Sequence, residues 1–208
     1  MSAYPHACYL KGAHTPAQFV ADLGSEVVFA GRSNSGKSSA INAITQRRAL
    51  ARTSKTPGQT QLVNFFELEP QRRLVDLPGY GFAKVPRAVQ EHWKGLLEAY
   101  FETRESLTAL FIVMDARRPL AQQDWQMLEY ARARGRAVHL LLTKADKLGR
   151  SEAARTLARV RSEVGTKATA QLFSAVDQAG VEEARRVLRR WLAGAADPPG
   201  AHDGSAAQ

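Results

Sequence analysis

The sequence predicts an α/β fold: a mixed six-stranded sheet, one strand antiparallel, with helices on both faces. Three observations predict it. Short β-rich runs alternate with helical patterns along the chain. The runs are nearly continuously apolar, as strands covered on both faces must be. One pair of runs is joined by a turn too short for a parallel crossover.

The strand candidates are Val27–Ala30, Leu62–Leu68, Leu74–Leu77, Leu107–Met114, Ala137–Leu142 and Ala170–Phe173. Helical patterns fall near Lys37–Thr45, Arg87–Arg104, Ala121–Arg134, Ser151–Val164 and Val181–Leu192. The turn Glu69–Arg73 separates the second and third strands and makes them an antiparallel hairpin, because a parallel return needs about a dozen residues or more. Every later strand is preceded by a helix, so it can return parallel.

The chain has 208 residues, 44% of them hydrophobic and 24% charged, which suits one globular domain with a full core. We divide it into an N-terminal extension (1–25), a folded body (26–192) and a disordered tail (193–208). The tail reads AGAADPPGAHDGSAAQ and cannot bury enough surface to order itself. Cys8 is the single cysteine, which excludes an internal disulfide framework and a cysteine-based zinc site. The formal charge is +9; the tail holds Asp197 and Asp203 and no Lys or Arg, so residues 1–192 carry +11. That excess suits a polyanionic partner without choosing one. No run approaches the ~18 apolar residues that cross a bilayer, and the first ten residues lack the pattern of a secretory signal. The expectation is a cytoplasmic chain without stable membrane insertion, and a monomer.

Directly after the first strand comes Gly31-Arg32-Ser33-Asn34-Ser35-Gly36-Lys37-Ser38, a GxxxxGKS pattern. Gly31 and Gly36 allow the backbone to turn N–H groups around phosphate oxygens, and the following helix aims its positive end at the same anion. Lys37 can reach β and γ phosphates, and Ser38 can offer its hydroxyl to Mg²⁺. Alone, the pattern could be a glycine turn with a chance lysine; strand before and helix after favour the phosphate loop.

Asp76-Leu77-Pro78-Gly79 closes the third strand. An Asp at that edge can hold Mg²⁺, and Gly79 leaves its N–H free to approach a γ-phosphate. Between the two boxes lies Thr53-Ser54-Lys55-Thr56-Pro57-Gly58-Gln59-Thr60, followed by Gln61 and Leu62. A threonine here could put its hydroxyl on Mg²⁺ and its N–H on the γ-phosphate; Thr60, Thr56 and Thr53 are rivals on the residues alone.

Thr143-Lys144-Ala145-Asp146 ends the fifth strand, at the edge where open α/β sheets bind ligands. Asp146 can accept from guanine N1–H and N2–H₂, whereas adenine offers an acceptor and no amine. Charge-assisted bonds are worth ~1.5–3 kcal/mol each, so losing two would disfavour ATP by about two to four decades. Lys144 can lay its stem along the base. Phe173-Ser174-Ala175 follows on the sixth strand, and the Ala175 N–H could meet guanine O6.

These boxes in this order resemble the translation-factor-like GTP-binding proteins, and more narrowly the EngB family. The residues that carry the resemblance are GRSNSGKSS from Gly31, SKTPGQTQ from Ser54, NFF from Asn64, VDLPGYGFAKV from Val75 and TKAD from Thr143. It implies a Ras-like P-loop fold over 26–192, GTP and GDP as ligands, Mg²⁺ as cofactor, slow hydrolysis, and assembly of the large ribosomal subunit with its precursor rRNA as partner. It also implies a part in cell division and septation. By this analogy Ser38 and Thr60 are the direct Mg²⁺ ligands with Asp76 nearby, and Lys37, Thr60 and Gly79 serve catalysis. Gly58, Gln59, Gln61 and Leu62 join the nucleotide site on the same ground. Asn34 resembles the asparagine with which some related GTPases hold K⁺; a plain turn residue is its alternative.

Two positions depart from the wider pattern. Tyr80 stands where many GTPases place a water-orienting Gln, so a slow enzyme is expected. Thr143 replaces the more usual Asn of the base-reading box and can brace the loop with fewer hydrogen bonds. The last helix carries Arg185, Arg186, Arg189 and Arg190, read as a solvated face or an RNA contact. Arg47, Arg48, Arg52 and Lys55 form a second basic group. The competing readings are a septum- or membrane-associated scaffold and a P-loop ATPase or kinase. No histidine spacing suggests a metal site, and His139 reads as a core residue.

Overall fold

A computed structural model describes residues 3–51, 62–80 and 87–194. Seven strands form its sheet: β1 (Cys8–Ala13), β2 (Ser25–Gly31), β3 (Val63–Glu69), β4 (Arg72–Asp76), β5 (Leu107–Asp115), β6 (Ala137–Thr143) and β7 (Thr169–Leu172). The helices are α1 (Lys37–Thr45), α2 (Arg87–Thr103), α3 (Gln122–Arg132), α4 (Arg150–Val164) and α5 (Val181–Leu192).

The strand order is β1-β3-β4-β2-β5-β6-β7. Only β3 runs against the rest: it pairs antiparallel with β1 and with β4, while β4, β2, β5, β6 and β7 pair in parallel. The expected count of six strands is therefore corrected to seven. The added strand, β1, lies in the stretch read as an extension. Its sequence CYLKGA has no alternation to reveal it: Cys8, Tyr9, Leu10 and Lys11 are all exposed, so β1 is held by its backbone ladder to β3.

The apolar runs of the inner strands split residue by residue between two cores, because successive side chains leave a strand on opposite faces. Val28 and Ala30 face one core with Leu110, Ile112, Leu140, Tyr100 and Leu128; Val27 and Phe29 face the other with Phe111, Ile41, Ile44, Leu188 and Trp191. Helices α2, α3 and α4 cover the first face, α1 and α5 the second. Trp191 is fully buried, its ring 4.9 Å from that of Phe111. His139 is buried with both ring nitrogens engaged, Nδ1 with Thr169 Oγ1 at 2.6 Å and Nε2 with Gln171 Oε1 at 3.0 Å.

One residue of α5 departs from its expected place. Arg186, Arg189 and Arg190 are exposed, but Arg185 is 2% exposed. Its Nε donates to Ile44 O at 2.8 Å and its Nη2 to Ala43 O at 3.3 Å, with Nη1 on Glu182. It thus satisfies carbonyls at the C-terminal end of α1, where a helix leaves acceptors unpaired and carries negative potential. Among the described residues no helix is long and apolar enough to cross a membrane.

Candidate functional site

Parallel strands β2, β4, β5, β6 and β7 all end at one edge of the sheet, and the boxes singled out in the sequence follow those ends. The turn from β2 into α1 is tight. A Cβ on Gly31 would stand 2.5 Å from Val113 O and 2.7 Å from Ser35 Oγ, so only glycine fits. Asn34 and Gly36 both take positive φ, 61° and 90°, which winds the chain around its own centre before α1 begins at Lys37. The Ser35 hydroxyl is buried there without a protein partner, which suits a loop built to receive a polar ligand.

Lys37 and Asp76 are both buried, and the Lys37 ammonium donates to Asp76 Oδ1. The lysine of the phosphate loop and the acid at the end of β4 are therefore in direct reach of each other. A phosphate oxygen on the lysine side and a cation on the acid side would leave each group a partner. Ser38 is partly exposed at the start of α1. A hydroxyl and a carboxylate are hard oxygen donors, the set that Mg²⁺ takes alongside nucleotide phosphates and water. No cluster of three His, Cys, Asp or Glu exists among the described residues, so a protein-only metal cage is not formed there.

Beyond Asp76, the pairing of β2 with β4 continues through single hydrogen bonds. Leu77 N–H donates to Phe29 O at 3.1 Å, and Tyr80 N–H to Gly31 O at 3.2 Å. Leu77 is in the core, so it can offer a ligand only backbone; Pro78 is buried, and Gly79 lies against Ser33.

The box after β6 is joined to the phosphate loop. The buried Thr143 hydroxyl faces two carbonyls, Ser35 O and Met114 O, the latter at 3.1 Å. Lys144, at φ 58°, donates from Nζ to Asn34 O at 2.7 Å and pairs with Asp115 Oδ2 at 3.0 Å. Asp115 is a residue the sequence reading did not single out. Arg117, and then Lys144, hold its carboxyl far below the usual range. Its signal was positional: an acid at the carboxyl end of a central strand.

Asp146 accepts from Ser174 Oγ at 2.8 Å and pairs with Lys147 at 3.1 Å, and these contacts lower its pKa in that order. Ala145 N–H donates to Phe173 O at 3.2 Å, which ties this box to the end of β7. Phe173 itself is buried, and Ala175 is partly exposed beside Ser174. The structure thus brings together 31–38, 76–79, 143–146 and 173–175. Leu62 is described just before β3; Gly58, Gln59, Thr60 and Gln61 lie outside the described residues, as do Arg52, Thr53, Lys55, Thr56 and Lys84.

Residues 26–144 match the family profile described as 50S ribosome-binding GTPase. A probable GTP-binding protein EngB from Xylella fastidiosa is 54% identical over 191 residues, covering 89% of this chain and 94% of that protein. Its counterpart from Xanthomonas oryzae is 52% identical, covering 94% of this chain and 97% of that protein. Among solved structures, a probable GTP-binding protein EngB superposes with a TM-score of 0.65 at 21% identity, covering 82% of this chain and all of that one. Era in complex with MgGDPNP and nucleotides of 16S ribosomal RNA superposes with a TM-score of 0.63 at 16% identity, covering 87% and 60%.

Proposed function

The chain belongs to the EngB family of GTP-binding proteins, and from that premise we propose that it is a slow, Mg²⁺-dependent GTPase that acts in assembly of the large ribosomal subunit. The observation that carries the reading is the direct linkage of the phosphate loop to the base-reading box, through Thr143 to Ser35 and Lys144 to Asn34. Two boxes far apart in the chain are thus joined at one edge of the sheet.

In this reading Gly31 to Ser38 cradle the phosphates, and the helix start and Lys37 supply positive charge. Ser38, Thr60 and Asp76 would hold Mg²⁺, which offsets charge between the β- and γ-phosphates. Gly79 offers its N–H to the γ-phosphate. Asp146, oriented by Ser174 and kept ionised, accepts from the guanine edge; Lys144 lies along the base and Ala175 N–H meets O6. Ionised Asp146 disfavours adenine, which speaks against the ATPase or kinase alternative. Tyr80 carries no group that orients water as a Gln side chain does, which supports slow hydrolysis until a partner completes the site. Asn34 with K⁺ belongs to the same proposal.

The family profile's 50S description and the exposed arginines of the basic chain support ribosomal precursor RNA as partner; a cytoplasmic place, a monomeric chain and the part in cell division and septation that the resemblance implies belong to the same proposal. Sucrose-gradient sedimentation of a lysate with GDP or a non-hydrolysable GTP analogue tests it. Co-migration with large-subunit particles in one nucleotide state is expected; migration with membranes would replace the reading with the septal scaffold. For the nucleotide, Asp146→Asn is expected to lose GTP preference by at least about a hundredfold and to gain xanthine nucleotides, since xanthine presents a carbonyl to the amide donor. Unchanged GTP preference in competition binding would remove Asp146 as the base reader.

A further inference from the structure

Tyr80, the residue after Gly79, has every polar group engaged. Its N–H donates to Gly31 O at 3.2 Å and its carbonyl accepts from Ser33 N–H at 3.1 Å, a parallel bridge across the phosphate loop. Its hydroxyl donates to Asp124 Oδ1 at 3.1 Å. Asp124 sits in the first turn of α3 and is 1% exposed. The other oxygen, Oδ2, accepts from Ala121 N–H at 3.0 Å and lies 3.4 Å from Arg32 Nε. Arg32, the second residue of the phosphate loop, also donates from Nη2 to Arg118 O at 2.8 Å, just ahead of α3.

A helix cap accounts for the bond from Ala121 and for nothing else. It does not explain why a buried carboxylate spends its remaining capacity on Tyr80 and Arg32, which come from two different segments, the residue after Gly79 and the phosphate loop. Burying a charge is costly unless it is paired, so these contacts are what allow Asp124 to be there at all.

We propose that Asp124 is a positioning residue for the γ-phosphate side of the site: through Tyr80 and Arg32 it holds Gly79 against the phosphate loop before a triphosphate arrives. The proposal rests on the guanine-nucleotide reading given above. Gly79 is docked closely enough that a Cβ would stand 3.3 Å from both Ser33 Cα and Ser33 N. A γ-phosphate that finds its donor already in place has less chain to order on binding. A diphosphate gains nothing, because Gly79 serves only the γ position.

The tether therefore discriminates between the two nucleotides, which a purely structural role would not. The test is titration of the full chain, its Tyr80→Phe, Asp124→Ala and Asp124→Asn variants, with GDP and with a non-hydrolysable GTP analogue. Tyr80→Phe and Asp124→Ala are expected to weaken the analogue by about tenfold while GDP stays within about twofold, the loss of one bond to a charged group. Asp124→Asn can still accept from Ala121 and donate to the Tyr80 oxygen, so it should lose no more than about threefold. Thermal melts verify that each variant folds, and Tyr80→Phe is conservative enough to stand alone if Asp124→Ala does not. Equal weakening of both nucleotides, or an unchanged ratio in Tyr80→Phe, would overturn the tether. A parent chain that binds no GDP would overturn the nucleotide reading itself, and the tether with it.

Discussion

Thr143 has one proton and two carbonyls before it, Ser35 O and Met114 O, where an asparagine would bring two N–H donors. From this position the phosphate loop is thus braced through a single shared hydrogen bond. Thr143→Val keeps the shape and removes the bond, leaving buried acceptors unsatisfied; a loss of about 1–3 kcal/mol in urea unfolding is expected, with no change in the denaturant slope. The two acids near the site titrate with opposite sign. Ser174 and then Lys147 hold Asp146 below 3.8, so their contribution is full above that value and is lost only as pH falls through the lower folded one. The preference for GTP over ATP, which share the terminal phosphate and its titration at about pH 6, is therefore expected to stay level from pH 8 to about 5, which competition titrations at fixed salt will check. A fall of that preference near pH 6 would mean that another group reads the base. Burial pushes the Asp124 carboxyl upward, more than Arg32, the Ala121 N–H and Tyr80 pull it down, so ionising it costs the folded chain some stability as pH rises past 3.8. Asp124→Asn should accordingly melt at or above the parent temperature at pH 7.

At the scale of elements, α1 carries the phosphate loop at one end and is anchored at the other by Arg185 of α5. Two backbone carbonyls accept from that buried guanidinium, and Ala43 O also accepts from Gln46 N–H, so it is Ile44 O that leans most on Arg185. Arg185→Ala is expected to cost about 2–4 kcal/mol, as bonds to a charged donor are lost and the Ile44 carbonyl loses its donor. Arg186→Ala, one residue away on the exposed face, should move stability by less than about 0.5 kcal/mol. Chemical denaturation of the pair measures both. Spacing placed all four arginines of α5 on a charged face, but an i, i+4 pattern cannot show that a neighbouring helix end reaches one of them. The same limit hid β1. An edge strand pinned by main-chain bonds needs no apolar run, whereas the inner strands are buried on both faces and had to be written in Val, Ile, Leu and Phe.

For the whole molecule the net charge is +9, with Arg47, Arg48, Arg186, Arg189 and Arg190 among the exposed cations. If ribosomal RNA is the partner, each phosphate contact releases counterions, and affinity should fall with salt at a log–log slope of ~−0.7 to −0.9 per contact. On the same reading Gly79, which would offer its N–H to the γ-phosphate, would give that partner a nucleotide dependence. Tighter binding to large-subunit precursors with a GTP analogue than with GDP is expected, measured by filter binding or sedimentation across a salt series. Equal affinity in both nucleotide states would remove the switch, and salt-independent affinity would remove the phosphate-backbone contact.

The sequence alone determined the α/β class, the helices α1 and α5 to the residue, and the placing of residues 31–38, 76–79 and 143–146 at strand ends, the three segments it offers as phosphate and base readers. Local chemistry suffices for these: strand and helix periods are short, and a loop that wraps phosphate needs its glycines and lysine in consecutive positions. Tertiary structure decided which groups meet across the chain. Asp124 on Tyr80 and Arg32, Lys144 on Asp115 and Arg185 on α1 join residues from separate segments, and their identities carry no sign of their partners. An aspartate in a helix's first turn reads as a cap wherever it occurs. Only the packing of α3 beside the phosphate loop brings Tyr80 and Arg32 within hydrogen-bonding and ion-pair reach of the same carboxylate.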